Sequence, residues 1–236
     1  MEDSVKLCDG VLVILDARAP AATYNKNLKK LFGNKPVLYV LNKSDLADEG
    51  RAKGFCALIE RGGAYALPLC ATDSSAAKRV GAKISSMLSE KHRKDEEKGM
   101  RRPDRLMVAG IPNTGKSTVI NALSGAKRAI TGDKAGVTRG KQWIRCAGFE
   151  LLDTPGTMPP SFENQYLARH LAFIGCINDD ILDFGDLSIE LLGELSRLCP
   201  EKLTERYGLS DFSAPLAMLE QLCKRRGFIL RGGEFD

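Results

Sequence analysis

The stretch Gly110-Ile-Pro-Asn-Thr-Gly-Lys-Ser-Thr118 constrains this chain more than any other, because it fits G-x-x-x-x-G-K-[ST], a loop that wraps phosphates. Gly110 and Gly115 permit a tight turn that aims successive backbone N–H groups at one anion. Asn113, Thr114, Gly115, Lys116, Ser117 and Thr118 are therefore candidate nucleotide contacts. Lys116 offers a point charge to the β- and γ-phosphates, and Ser117 a hydroxyl to Mg²⁺. The context agrees. Leu106-Met-Val-Ala109 reads as a buried strand, and Thr118 to Gly125 as a helix with a glycine stop, so the phosphates meet a helix N-terminus. The competing reading is an ordinary glycine turn ahead of a helix.

Composition narrows the setting. The 236 residues suffice for one large domain, or for one domain with a small appendage. There is no run of 18 apolar residues, and Met1-Glu-Asp-Ser-Val-Lys6 lacks the regions of a secretory signal. A cytoplasmic location, with no membrane partner, is expected. Seven scattered cysteines without C-x-x-C, beside only two histidines, argue for free thiols over a zinc site. The formal charge of +5 permits a nucleic-acid partner without requiring one.

Upstream of the phosphate loop, Asp9 to Asp16, Lys35 to Leu41 and Ala64 to Leu69 read as strands, with helices over Asn25 to Phe32 and Ala52 to Gly62. Continuous apolar runs alternating with helices predict a parallel sheet covered on both faces. Directly after the second strand comes Asn42-Lys43-Ser44-Asp45, fitting N-K-x-D. The Asp45 carboxylate can accept from the ring N–H and the exocyclic amine of guanine, while adenine presents the wrong pattern. Asn42 would tie the loop together, and the Lys43 stem would cover the base. A polar turn is the bland alternative. In Cys70-Ala-Thr-Asp73 a backbone N–H, of Ala71 or Thr72, is placed to meet the guanine carbonyl, although a strand-to-helix turn capped by Thr72 or Asp73 explains it equally well. A helix is expected from Arg79 to about Arg93, followed by a charged, solvated linker at about 91–104.

Downstream, the polar segment Ala129 to Lys141 holds Thr138, the candidate for a second Mg²⁺-binding hydroxyl, with Thr131 as competitor. Gln142 to Cys146 and Phe149 to Leu152 read as a hairpin running into Asp153-Thr-Pro-Gly156, which fits D-x-x-G. Asp153 would hold Mg²⁺, and the Gly156 N–H would bond the γ-phosphate. Asp133-Lys-Ala-Gly136 matches the same short pattern, but only Asp153 ends an apolar strand. Beyond about Ser161 the chain is leucine-rich at helical spacing, which predicts a small helical domain. The expected division is 1–160 and 161–236.

In most guanine-nucleotide switches N-K-x-D comes last, yet here it precedes the phosphate loop by about 68 residues. A permuted order keeps the same sheet and pocket, and it runs the chain after D-x-x-G straight into the helical region. Together with Asp16-Ala-Arg-Ala-Pro20, Gly136-Val-Thr138, Gln142-Trp143 and the tail segment Pro200 to Gly208, these motifs resemble the ribosome-biogenesis GTPase A family (the YlqF type) over nearly the whole chain. The resemblance implies an α/β fold: a circularly permuted P-loop GTPase domain on a mostly parallel six-stranded sheet, with a small all-helical C-terminal domain. It implies GTP and GDP as ligands, Mg²⁺ as cofactor, and the large ribosomal subunit with its ribosomal RNA as partner, with DNA not expected. By it Asn113, besides a loop-stabilising role, is a candidate K⁺ ligand, and catalysis would draw on Lys116, Asn113, Thr138 and Gly156. The bacterial cytoplasm or an organelle matrix is the implied setting. Thr157 stands where many small GTPases carry a water-orienting glutamine, and neither His92 nor His170 matches the family's histidine, so slow intrinsic hydrolysis is expected. The rivals are a nucleotide-gated RNA-binding module with negligible hydrolysis and a permuted GTPase serving the small subunit.

Overall fold

The apolar runs become six strands: β1 (Gly10–Asp16), β2 (Val37–Asn42), β3 (Tyr65–Pro68), β4 (Asp104–Ala109), β5 (Gln142–Arg145) and β6 (Phe149–Asp153). The computed structural model describes residues 2–125, 142–156, 158 and 164–228. The strands form one sheet in the order β3-β2-β1-β4-β6-β5, parallel throughout except for the antiparallel edge strand β5. All seven residues of β1 are buried, as a central parallel strand covered on both faces requires. Alternate side chains feed two cores. Leu12, Ile14, Leu38, Val40, Leu106, Val108 and Leu151 lie on one face, and Val11, Val13, Leu15, Leu41, Met107 and Leu152 on the other.

Among the described residues, eight helices belong to this part of the chain: α1 (Glu2–Lys6), α2 (Pro20–Thr23), α3 (Lys26–Phe32), α4 (Glu49–Arg61), α5 (Ala76–Met87), α6 (Ser89–Glu97), α7 (Lys116–Ser124) and α8 (Gln165–Phe173). Helix α5 places Ala76, Val80, Ile84 and Met87 on the first face, joined there by Val119, Ile120 and Leu123 of α7. The second face is covered by Val5, Leu28, Phe32 and Cys56 from α1, α3 and α4. On α5 these side chains recur at helical spacing.

One expectation changes. The helix expected from Arg79 to about Arg93 breaks at Leu88, and the stretch read as a solvated linker is helical through Glu97. Helix α6 is polar all round and is held by pairs that composition does not reveal. Lys91 reaches Asp95 at 2.8 Å and Asp104 at 2.7 Å, and Arg93 reaches Glu97 at 2.9 Å. The described residues form two compact units, Met1–Asn178 and Asp179–Asp236. Helix α8 packs with α2, and its Leu171 joins Ile111 and Cys176 in a small apolar cluster.

The second unit contains α9 (Phe184–Leu198), α10 (Pro200–Tyr207) and α11 (Pro215–Arg226). Leu192, Leu203, Leu209 and Met218 form its core, while Leu198 and Leu216, from the same leucine runs, remain exposed. Asp183 caps α9 by accepting from Asp186 N, Pro200 starts α10, and Gly208 and Gly227 end α10 and α11 with positive φ.

Gly110 brings the start of the phosphate loop against β1. Its φ is +147°, and a Cβ there would stand 2.5 Å from the Ile14 carbonyl oxygen. Gly110→Ala is expected to cost about 3 kcal/mol of stability, because two central strands cannot move apart cheaply. Urea unfolding of the variant checks this, and an unchanged midpoint would refute it.

Candidate nucleotide-binding site

Four parallel strands end at one edge of the sheet: β1 at Asp16, β2 at Asn42, β4 at Ala109 just before the phosphate loop, and β6 at Asp153. Open α/β sheets bind ligands at this edge. Asn42, 3% exposed, donates Nδ2 to the Thr114 carbonyl at 3.0 Å and accepts on Oδ1 from the Ala71 N–H at 3.2 Å. One carboxamide thus fastens N-K-x-D both to the phosphate loop and to the turn at Cys70–Asp73. Gly115, with φ of +88°, lies so close to that carboxamide that any Cβ would collide with it.

Lys43 and Asn113 are the two non-glycine residues with positive φ among the described residues, at 61° and 60°. They are bonded to each other, Lys43 Nζ donating to the Asn113 carbonyl at 2.9 Å. Left-handed backbone costs about 1–2 kcal/mol per residue and persists where surrounding contacts impose it, often at functional sites. The Asn113 carboxamide donates to the Gly175 carbonyl at 2.7 Å. Asp45 is exposed on a 3-10 turn over Ser44–Leu46, itself anchored by Ser44 N donating to the Leu69 carbonyl at 3.1 Å. Thr72 is exposed on the neighbouring turn.

On the phosphate side, Lys116 opens α7, is 8% exposed and donates to the Ile111 carbonyl at 2.8 Å. Gly156 comes against it: a Cβ on Gly156 would lie 2.8 Å from Lys116 Nζ and 3.0 Å from Pro112 N. The D-x-x-G glycine and the phosphate loop are therefore in contact. Asp153 is buried at the end of β6, and Ser117 and Thr118 are half-buried on the first turn of α7. Thr138, Thr131 and Thr157 lie outside the described residues.

Sequence reasoning missed Asp16, Arg18 and Thr154 as parts of this edge. The fully buried Asp16 carboxylate receives Arg18 through Nε at 2.9 Å, Nη2 at 2.7 Å and the backbone N–H at 3.0 Å. It also receives Lys43 Nζ at 2.9 Å. Burial alone would raise its pKa, but the Arg18 and Lys43 cations outweigh that and hold it below the usual carboxylate range. Its signal in the sequence was a lone carboxylate ending an all-apolar strand, in register with Asn42. Thr154 locks D-x-x-G to β4 by donating Oγ1 to the Val108 carbonyl at 2.6 Å.

The residues present suit a polyphosphate and its cation. The loop combines two glycines at positive φ with a helix N-terminus, and its buried ammonium lacks the solvation a phosphate would replace. Burial pushes the Lys116 pKa down to about 8, against the opposing pull of Asp153. The unfolded lysine keeps its proton up to pH 10.5, so the folded protein binds fewer protons between about pH 8 and 10.5. Stability of the nucleotide-free protein is therefore expected to rise with pH across that window, by about 3 kcal/mol at most. Urea titrations at pH 7.5 and 9.5 check it, with Lys116→Met flattening the difference. An equal slope in the variant would refute the assignment.

Of the two histidines, His92 sits at the opposite edge, and His170 is on α8, whose Leu171 clusters with Ile111 of the phosphate loop. His92 Nε2 meets Asp104 Oδ2 at 2.7 Å, at the start of β4 and hence the sheet edge opposite the phosphate loop. His170 lies on α8, with Nδ1 2.7 Å from the Tyr166 carbonyl oxygen.

Phosphate loop, D-x-x-G and an upstream N-K-x-D converging on one edge of a parallel sheet define a circularly permuted P-loop GTPase. A family model described as 50S ribosome-binding GTPase matches residues 105–193, and the Ribosome biogenesis GTPase A of Bacillus cereus is 38% identical over 237 residues, covering 99% of this chain and 80% of that protein. The chain belongs to the ribosome biogenesis GTPase A family. Among solved structures, the GDP-bound TM YlqF superposes with a TM-score of 0.71 at 27% identity, covering 100% of this chain and 87% of its own. The GNP-bound YlqF from T. maritima gives 0.66 at 26%, covering 100% and 85%. A GTP hydrolase activity and guanine-nucleotide binding follow. No helix among the described residues is long and apolar enough to cross a membrane.

Proposed function

We propose that the chain is a GTP-hydrolysing switch that assists assembly of the large ribosomal subunit in contact with its ribosomal RNA. The observation that carries the pocket is the Asn42 carboxamide, which joins guanine motif, phosphate loop and the Ala71 turn in one hydrogen-bonded unit. The 50S ribosome-binding description of the matched family model supports the choice of subunit. The setting follows from the partner: wherever ribosomes are assembled, the bacterial cytoplasm or an organelle matrix.

In this reading Asp45 accepts from guanine, and the Ala71–Thr72 turn offers N–H to its carbonyl. The backbone of Asn113 to Thr118 cradles the phosphates. Ser117, Asp153 and Thr138 would hold Mg²⁺, which when bound neutralises charge on the β- and γ-phosphates. Lys116 is aimed at the same oxygens and trades its Ile111 carbonyl for them. Gly156, already against Lys116, presents its N–H to the γ-phosphate, so the segment after it responds to whether that phosphate is present. The Asn113 side chain is the candidate K⁺ ligand.

A second reading, a nucleotide-gated RNA-binding module with negligible hydrolysis, is favoured by the placement of His92 away from the phosphate loop. GTP hydrolysis in K⁺ buffer, with and without purified large subunits and repeated in Na⁺ and with small subunits, separates the readings. Strong stimulation by large subunits alone is the expected result. Tight GTP binding without stimulation would favour the second reading, and loss of K⁺ dependence would remove Asn113 from ion binding.

A further inference from the structure

We propose that Asp16 is a positioning residue for the guanine nucleotide, acting through Lys43. The inference rests on the pocket described under the proposed function and adds a residue that none of its nucleotide motifs contains. The two carboxylate oxygens of Asp16 divide their partners. Oδ1 takes the Nε and backbone N–H of Arg18, whereas Oδ2 takes Arg18 Nη2 at 2.7 Å and Lys43 Nζ at 2.9 Å. The Lys43 ammonium is thereby held at two points, Asp16 Oδ2 and the Asn113 carbonyl, both at 2.9 Å.

A lysine side chain is otherwise among the most mobile, and two fixed points remove that freedom before any ligand arrives. The backbone of Lys43 is left-handed and stands between Asn42 and the turn carrying Asp45. Holding the ammonium holds that conformation, and with it the place from which Asp45 meets a base. The β1–β2 register, Asp16 opposite Asn42, is what brings the carboxylate next to Lys43. Asp16 is fully buried, so the carboxylate needs cationic partners, and both lie on the edge that binds nucleotide. The competing account makes Asp16 only an anchor for Arg18, whose Nη2 also donates to the Ile174 carbonyl at 3.1 Å.

The test is a cycle of Asp16→Asn, Lys43→Met and their double variant, with Arg18→Met beside them. Each is checked for folding by circular dichroism and titrated with fluorescent GDP. Asp16→Asn and Lys43→Met are each expected to weaken GDP binding about tenfold. The double variant is expected to match Lys43→Met within about twofold, because Asp16 acts through that residue. Arg18→Met is expected to lose clearly less affinity than Asp16→Asn, about threefold at most, since Lys43 keeps its anchor on Asp16 Oδ2. Parental affinity in Asp16→Asn would overturn the proposal. So would losses that multiply in the double variant, or a tenfold loss in Arg18→Met. If Asp16→Asn does not fold, the Arg18→Met result decides between the two accounts. A parent chain that binds no GDP would instead overturn the pocket itself, a distinguishable failure.

Discussion

Replacing Lys116 by methionine is expected to lower GTP turnover about a thousandfold while raising the melting temperature of the nucleotide-free protein. The two effects have one cause. Lys116 is an ammonium held out of water at 8% exposure, with the Ile111 carbonyl as its short contact at 2.8 Å and a pKa pushed down to about 8 by that burial. Methionine fills a similar volume without a charge to desolvate, so the empty protein gains about 1 kcal/mol or more, equivalent to about 3 °C. With GTP present the sign reverses. The variant lacks the cation proposed for the β- and γ-phosphates, and adding GDP is expected to raise its melting temperature far less than the parent's. Phosphate release and paired melting curves, with and without GDP, read both halves. Unchanged turnover, or a lower melting temperature for the empty variant, would contradict the assignment.

The second large effect is on base choice. Asp45→Asn is expected to weaken GTP binding about a hundredfold and to shift preference towards xanthosine triphosphate, whose ring presents an acceptor where guanine presents its amine. Stability should barely move, because Asp45 is exposed and its turn is held by the Ser44 to Leu69 backbone bond. Competition titrations with guanine and xanthine nucleotides at equal protein melting temperature make the measurement. GTP selectivity retained in the variant would place base recognition elsewhere.

Most of the sheet and the outline of the site were legible in the sequence, for reasons the structure makes physical. The central strands are apolar on both faces, so they appear as continuous runs, and only their ends shift by a residue or two. The phosphate loop is legible because geometry leaves little choice at Gly110, pressed on β1, and at Gly115, pressed on Asn42. What escaped depends on contacts between distant residues. Asn113 meets Gly175 across 62 positions, and Thr154 meets Val108 across 46, with no local pattern to announce either pairing. Asp16 and Arg18 stood inside a recognised motif, but nothing in a linear reading assigns them to Lys43. The second half of α6 escaped because its charges read as solvation until their partners are placed. The seat of α8 against α2 was not legible, because its apolar spacing is the same whether it packs there or on the tail helices.

The permuted order has a mechanical consequence. Strands β1 to β3 and strands β4 to β6 form two contiguous blocks of the sheet, and among the described residues β1 against β4 is the one strand pairing between them. Four residue pairs register there, from Gly10 with Leu106 to Val13 with Ala109, against six between β1 and β2. In the proposed pocket the base would be read from the first block and the phosphates gripped by the second. A bound nucleotide is therefore a brace laid across a seam. A load pulling the blocks apart finds its weakest line between β1 and β4 when the pocket is empty, and meets a stiffer body once that brace is in place.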